Sequence, residues 1–315
     1  MGQYEAYKAF LQSNPYFSDI DHIEDKWTDV EGHKFDRMAV KYRKEIVALD
    51  HTVTEEEVQQ HNQVVSHEEM KRIIDEEDEN YAILDMRNTY EYKLGHFKGA
   101  EPAGTINFRD VDEMFNHYKK KYQDKKVIMY CTGGIRCEKL NVLLKKKGVD
   151  NFYGLEGGVI TYTNKYGDGN WLGSLYTFDG VISTRVNPDE KHTTIGECIY
   201  TGHHTDHTEN CRYSPCNARI IARRKDYKNH AGFCSQECFD NAKKDALIKV
   251  DLDFDSMNYK KLRQAMKRGE LSEKQFISDA AANLDKILGE FTFNHKHSQK
   301  EDVVDQPMIQ SCMVN

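Results

Sequence analysis

The sequence predicts an α/β protein: a parallel sheet with helices on both faces, flanked by a small α+β unit at the N-terminus and a Cys-rich, zinc-type module toward the C-terminus. Three observations predict it. Between about residues 66 and 166, short apolar runs alternate with amphipathic segments of helical period. The most apolar run, KVIMY from Lys126, ends on Cys131 and a pair of glycines, at the strand end where parallel sheets place their sites. Residues 192–240 then turn rich in His and Cys and too polar for an ordinary core, so their stability must come from another source.

The elements follow in order. Residues 4–13 read as a helix, and KFDRMAVKYRKEIVAL after His33 as a half-exposed strand. HTVTEEEVQQHNQ from His51 has no apolar face and reads as a linker. The alternating region brings the capped helix SHEEMKRII, the strand YAILDM, a loop holding Gly95 and Gly99, an amphipathic helix from Val111 to Tyr122, and the strand KVIMYC. The helix EKLNVLLKKKG, the strand NFYGL and the turn Glu156-Gly157-Gly158 complete it. Beyond Leu247 come the helical stretches YKKLRQAMKRG and EKQFISDAAANLDKILGEF and a polar tail from His295. The expected units are 1–62, 63–166, 167–247 and 248–315.

Composition sets the bounds. With 38% hydrophobic and 30% charged residues over 315 positions, the chain has enough apolar material for at least one large core. A net charge of -8 argues against indiscriminate nucleic-acid binding, and no DNA partner is expected, although a local basic face stays open. No apolar run reaches the ~18 residues that a bilayer span needs, and MGQYEAYKAF is no signal segment, so no membrane role and a cytoplasmic location are expected. In a reducing compartment the eight cysteines read as metal ligands or reactive thiols rather than disulfides.

CTGGIRCEKL is the strongest chemical signal. A cysteine attacks as thiolate, and a thiolate needs positive potential around it. Gly133 and Gly134 let successive backbone N–H groups turn toward the Cys131 sulfur as a nest, helped by the helix that begins there. Arg136 adds a full charge or orients an anion, Thr132 and Ile135 complete the loop, and Cys137 either resolves an oxidised Cys131 or packs. A structural cysteine has no use for two glycines and an arginine within five residues.

LDMRNTYEYKLGHFKGA, VIMYCTGGIRC and GLEGGV resemble the rhodanese superfamily over about residues 66–166. The resemblance implies a rhodanese-like sheet in which Asp85 and Arg87 brace the loop and Gly157-Gly158 closes the pocket. Phosphatases of this fold place Arg six positions after the cysteine; Arg136 stands five after Cys131, a shorter loop better suited to a persulfide sulfur. MYCTGGIRCEK, DMRNTYEY, GHFKGA and LEGGVI, with LYTFDG and the Cys-rich segment behind them, resemble more narrowly the bacterial tRNA uridine(34) hydroxylases, over roughly residues 1–245. That implies tRNA as partner, molecular oxygen as co-substrate, 5-hydroxyuridine as product and dependence on Cys131. Two departures stand out. Only one half of the family's ferredoxin-like N-terminal domain is matched before residue 62, and Cys198 is followed by Thr201 where a second cysteine is expected.

Cys211, Cys216, Cys234 and Cys238 are spaced Cys-x4-Cys-x17-Cys-x3-Cys, two tight pairs one loop apart, as a structural zinc site requires. Four unligated thiols are the alternative. His204-Thr205-Asp206, with His192, His203 and His207 near, has the composition of an iron triad but no strand context, and a solvated polar loop is the preferred reading. Arg219, Arg223, Arg224, Lys225 and Lys228 beside Tyr227 form a candidate phosphate-and-stacking face for RNA. No flavin or nicotinamide glycine fingerprint is present. The expected function is oxygen-dependent hydroxylation of the tRNA wobble uridine. Two alternatives stay open: a rhodanese-type sulfurtransferase or persulfide carrier, and an RNA- or partner-binding module with an idle loop.

Overall fold

A computed structural model describes residues 2–17, 47, 49, 51, 53–105, 108, 111–178, 182–186 and 192–245. The expected strand after His33, apart from Val47 and Leu49, and the helices and tail beyond Leu247 lie outside these residues. The chain divides into two compact units, residues 1–36 and 37–315. In the first, α1 spans Gly2–Ser13, as the periodicity of residues 4–13 predicts.

The second unit is built on a parallel sheet. Its strands are β1 (Val64–Val65), β2 (Tyr81–Asp85), β4 (Glu101–Pro102), β5 (Lys126–Tyr130) and β6 (Phe152–Leu155), in the order β1-β6-β5-β2-β4. All four neighbour pairs are parallel, and β5 lies at the centre. A central strand covered on both faces must be apolar throughout, and the pleat then sends alternate residues to opposite layers. Val127, Met129 and Cys131 enter one layer with Phe115 and Tyr118 of α5 (Val111–Lys121) and Leu140 and Leu144 of α6 (Ile135–Lys146). Ile128 and Tyr130 enter the other, with Met70 and Ile74 of α3 (His67–Asp75) and Val159 and Tyr162 of α7 (Gly158–Tyr166).

The segment from His51, expected as a linker, forms α2 (Glu55–His61). The cause is a capping box rather than an apolar face: Thr54 accepts from the Glu57 N–H while the Glu57 carboxylate accepts from the Thr54 N–H. α2 then docks on α6 through Glu57–Lys146 at 2.5 Å, and Asn141 of α6 donates to Asn62 just past its end at 2.8 Å. The loop expected between β2 and β4 likewise holds α4 (Thr89–Leu94) and β3 (Gly95–Phe97).

β3 pairs antiparallel with β7 (Trp171–Gly173), and β8 (Leu175–Tyr176) with β9 (Ser183–Thr184), leading out of the sheet domain. The Cys-rich module is a hairpin of β10 (Thr208–Asn210) and β11 (Arg219–Ile221) with α8 (Arg224–Asn229) and α9 (Gln236–Asp245). Its own clusters are small, built around Phe233 and Phe239 and around Tyr200 and Tyr227. Leu94 of α4, Tyr176 and Ile221 form a shared cluster, so α4 touches the sheet domain, β8 and the module at once.

Candidate active site

Cys131 follows directly on β5 and is 2% exposed. The chain reverses at Gly134, whose φ of 90° lies in the left-handed region, and this turn aims the Gly134 N–H at the Cys131 sulfur, 3.1 Å away. α6 begins at the next residue, placing Arg136 and Cys137 in its first turn rather than in a loop. Their N–H groups and the Arg136 charge act on the sulfur, and the largest influence is the Cys137 S–H. Hydrogen bonding from Cys137, outweighing burial, with help from Arg136, draws the Cys131 thiol down to about 5. Burial and its donation to Cys131 push Cys137 well up, so the pair consists of one thiolate and one thiol.

The loop is braced from two directions. Glu91, fully buried on α4, takes a two-pronged pair from Arg136 at 2.9 and 3.0 Å, and Thr132 donates to it at 3.4 Å. Arg136 is thereby fixed with its charge beside the thiolate instead of reaching freely for an anion. From the other side, the N–H groups of Val159 and Ile160 donate to the carbonyls of Cys131 and Thr132 at 3.0 and 3.1 Å. Gly158 makes that approach feasible: a Cβ there would stand 2.6 to 2.8 Å from the Cys131 and Thr132 carbonyl oxygens and the Gly134 nitrogen.

Asp85 and Arg87 sit beneath this arrangement, fully buried and paired, with Arg87 Nε 2.9 Å from Asp85 and its Nη2 also donating to the Gly95 carbonyl at 2.5 Å. They fix the joint between α4 and β3; the side chain that reaches the loop is Glu91. It stands in the sequence signature, but nothing local marks its partner as Arg136, 45 residues away.

In the Cys-rich module, the sulfurs of Cys211, Cys216, Cys234 and Cys238 all lie within 4.8 Å of one another. Cys216–Cys234 and Cys234–Cys238 are 3.7 and 3.5 Å apart. Zinc–sulfur bonds of ~2.3 Å in a tetrahedron require sulfurs about 3.8 Å apart, so the four thiols fit one such ion. Contact with the neighbouring sulfurs, Cys211 first, draws the Cys216 thiol down and pushes the Cys234 thiol up, because crowded thiols cannot all ionise without a cation. Cys198 is not among them: it is buried with its S–H 3.4 Å from Asp226.

The remaining candidates separate. His192 pairs with Asp206 at 2.9 Å, and His207 with Glu209 at 3.2 Å, while His203 and His204 are exposed. Among the described residues only the four cysteines gather as a ligand group. Tyr227, expected as a stacking ring, is buried, with its hydroxyl donating to the Asn210 carbonyl at 2.9 Å. The reason is that the basic segment opens α8, whose inner face carries Asp226 and Tyr227 into the small core. Arg223 pairs with Asp226 at 2.5 Å, Arg224, Lys225 and Lys228 are exposed, and the guanidinium of half-buried Arg219 lies 5.8 Å from the Tyr176 ring centre.

Sheet, loop and thiolate define a rhodanese-type domain. Residues 66–165 match the rhodanese-like domain family and residues 172–239 the rhodanase C-terminal family. Among solved structures, the chain is similar to an As-Sb reductase from Leishmania major, with 22% identity, 36% of this chain and 87% of that chain covered, and a TM-score of 0.31. Curated relatives extend the likeness beyond the sheet domain. A tRNA uridine(34) hydroxylase of Staphylococcus aureus strain bovine RF122 / ET3-1 is 38% identical over 243 residues, 74% of this chain and 72% of the relative. That of strain MSSA476 is 37% identical over the same shares. The chain belongs to the tRNA uridine(34) hydroxylase family.

Proposed function

We propose that the chain hydroxylates the wobble uridine of tRNA at C5, with molecular oxygen as co-substrate and Cys131 as nucleophile. The reading is carried by the buried Cys131 thiol, held down to about 5, in a chain of this family. At neutral pH Cys131 is a thiolate ready to attack. Its addition to the electrophilic C6 of uracil turns C5 into an enolate carbon. That carbon takes up oxygen, and protonation leaves a C5 hydroperoxide. Loss of the C5 proton then expels the thiolate and restores the ring double bond. Two equivalents of an external thiol reduce the hydroperoxide to the hydroxyl, releasing water and a disulfide. The Gly134 N–H and the Cys137 S–H stabilise the sulfur anion before addition and again as it leaves.

In the same reading, Arg219, Arg224, Lys225 and Lys228 contact tRNA phosphates, with Arg223 partly occupied by Asp226. Cys211, Cys216, Cys234 and Cys238 hold a structural zinc ion, which would supply folding energy to the module and no open position for chemistry.

The test incubates the protein with unmodified tRNA, oxygen and a thiol reductant, and weighs the nucleosides. A uridine heavier by one oxygen should appear, vanish without oxygen, and vanish with Cys131→Ser, which preserves volume but not the nucleophile. Fully active Cys131→Ser protein would overturn the role of the thiolate. Thiocyanate formed from thiosulfate and cyanide at enzymatic rates, with tRNA unchanged, would transfer the reading to sulfur transfer.

A further inference from the structure

LYTFDG leaves β8 after Tyr176, and the chain bends at Phe178 so that its ring meets that of Tyr176 while Thr177 turns inward. Thr177 is buried, with its N–H bonded to the Ile182 carbonyl at 2.9 Å and its hydroxyl 3.3 Å from that of Thr184. Phe178 is 66% exposed, the most exposed aromatic ring described in the second unit. Apolar area in water forgoes about 25 cal/mol per Å² of burial, so a ring kept there calls for a reason.

The ring is held in place rather than loose. It stands edge-on to Tyr176, with centres 5.2 Å apart, and the Arg136 guanidinium lies 5.8 Å from its centre. Arg136 is itself immobilised by Glu91, and its charge acts on Cys131. Tyr176 is edge-on to Tyr90 at 5.1 Å and neighbours the Arg219 guanidinium at 5.8 Å. Phe178 therefore shares Arg136 with the nucleophile, and through Tyr176 it is continuous with Arg219 at the start of β11.

We propose that Phe178 is the stacking platform that presents the target pyrimidine to Cys131. This rests on the reading that the chain acts on a tRNA uridine and adds a positioning residue to it. A sulfur attacks C6 from above the ring plane, so the base must first leave its stack in the RNA, at a cost of a few kcal/mol. Stacking on an aromatic side chain recovers part of that cost and leaves the other face of the base open to the thiolate. Platform, anchored guanidinium and Arg219 form one path from phosphate contacts to the nucleophile.

Three variants test it: Phe178→Ala, Phe178→Leu and Phe178→Trp. If the ring stacks, Ala and Leu should both lower kcat/KM for 5-hydroxyuridine about ten- to hundredfold, while Trp stays within about threefold of the natural chain. The pH dependence of Cys131 alkylation should be unchanged in all three. Emission of the F178W protein, taken against the natural chain with its Trp27 and Trp171, should be quenched by tRNA carrying uridine at position 34 and not by tRNA abasic there. A purely packing role would tolerate Leu; Leu at full activity, or F178W emission indifferent to the missing base, overturns the platform. If the natural chain makes no hydroxyuridine, the hydroxylase reading fails by itself. The platform is then judged by emission alone: base-dependent quenching keeps it and its absence ends it.

Discussion

The chain holds two groups of cysteines whose sulfurs meet opposite surroundings. Cys131 is a single sulfur surrounded by donors of the protein itself: the Gly134 N–H at 3.1 Å, the Cys137 S–H and the Arg136 charge. Cys211, Cys216, Cys234 and Cys238 face one another within 4.8 Å and form a ligand set in which each thiolate would repel the next. The first arrangement leaves its sulfur reactive, because hydrogen bonds lower the thiol's pKa without sharing its lone pairs in a bond. The second fits an external cation that would consume every sulfur. Under the proposed reading, these separate surroundings would let one chain keep a nucleophile and a metal-held knot without exchanging them.

The largest expected effect removes the cation. Purified protein should carry about one zinc per chain, and structural zinc supplies on the order of 10 kcal/mol to a module of this size. Cys211→Ser or Cys238→Ser, or strong chelation, should unfold the Cys-rich module, measured by its near-UV signal and metal content. The half-point of Cys131 alkylation should stay near 5, the value its own donors set. Metal-free protein with unchanged melting would remove the zinc half of the contrast, and a moved half-point would show that the two sites are coupled.

The next effect strikes the protein-built site. Glu91 is fully buried and is the carboxylate on which Arg136 is anchored. Glu91→Ala leaves a buried guanidinium uncompensated and should cost about 3–5 kcal/mol, read as a lowered denaturant midpoint. Glu91→Gln, which keeps shape and one acceptor, should cost less. Zinc content should be indifferent to both; a matching loss of zinc would mean that α4, which also packs Leu94 against Ile221 of the module, ties the two sites into one folding unit.

Much of this was legible in the sequence because the relevant signals are short. The continuous apolar run of β5, the glycines after Cys131 and the paired cysteine spacing each fall within a few residues and imply the structure around them. What escaped depends on partners far along the chain or on balances that periodicity does not register. Arg136 reads as a free charge until α4 delivers Glu91 to it. α2 has no buried residue, so hydrophobic pattern passes over a helix made by a capping box and ion pairs. Tyr227 lies in a basic run that reads as surface, yet the helical turn carries it inward under Arg212, whose guanidinium lies 5.2 Å from its ring centre.

The smallest effect concerns Cys137, whose thiol contributes most to the low pKa of its neighbour. Cys137→Ala removes one hydrogen bond to a charged sulfur, worth about 1.5–3 kcal/mol, and should raise the half-point of Cys131 alkylation by roughly one to two pH units. Cys137→Ser keeps a donor and should restore most of the shift. The same linkage fixes a sign for stability. Cys131 is depressed to about 5 in the folded chain and stands at about 8.5 in an unfolded one, so its contribution is full above the unfolded value and disappears as pH falls through about 5. Between those limits the natural chain should gain stability with rising pH more steeply than Cys131→Ser protein. A half-point near 5 that survives Cys137→Ala would assign the anion to the backbone nest and Arg136 alone, leaving Cys137 as packing beneath the loop.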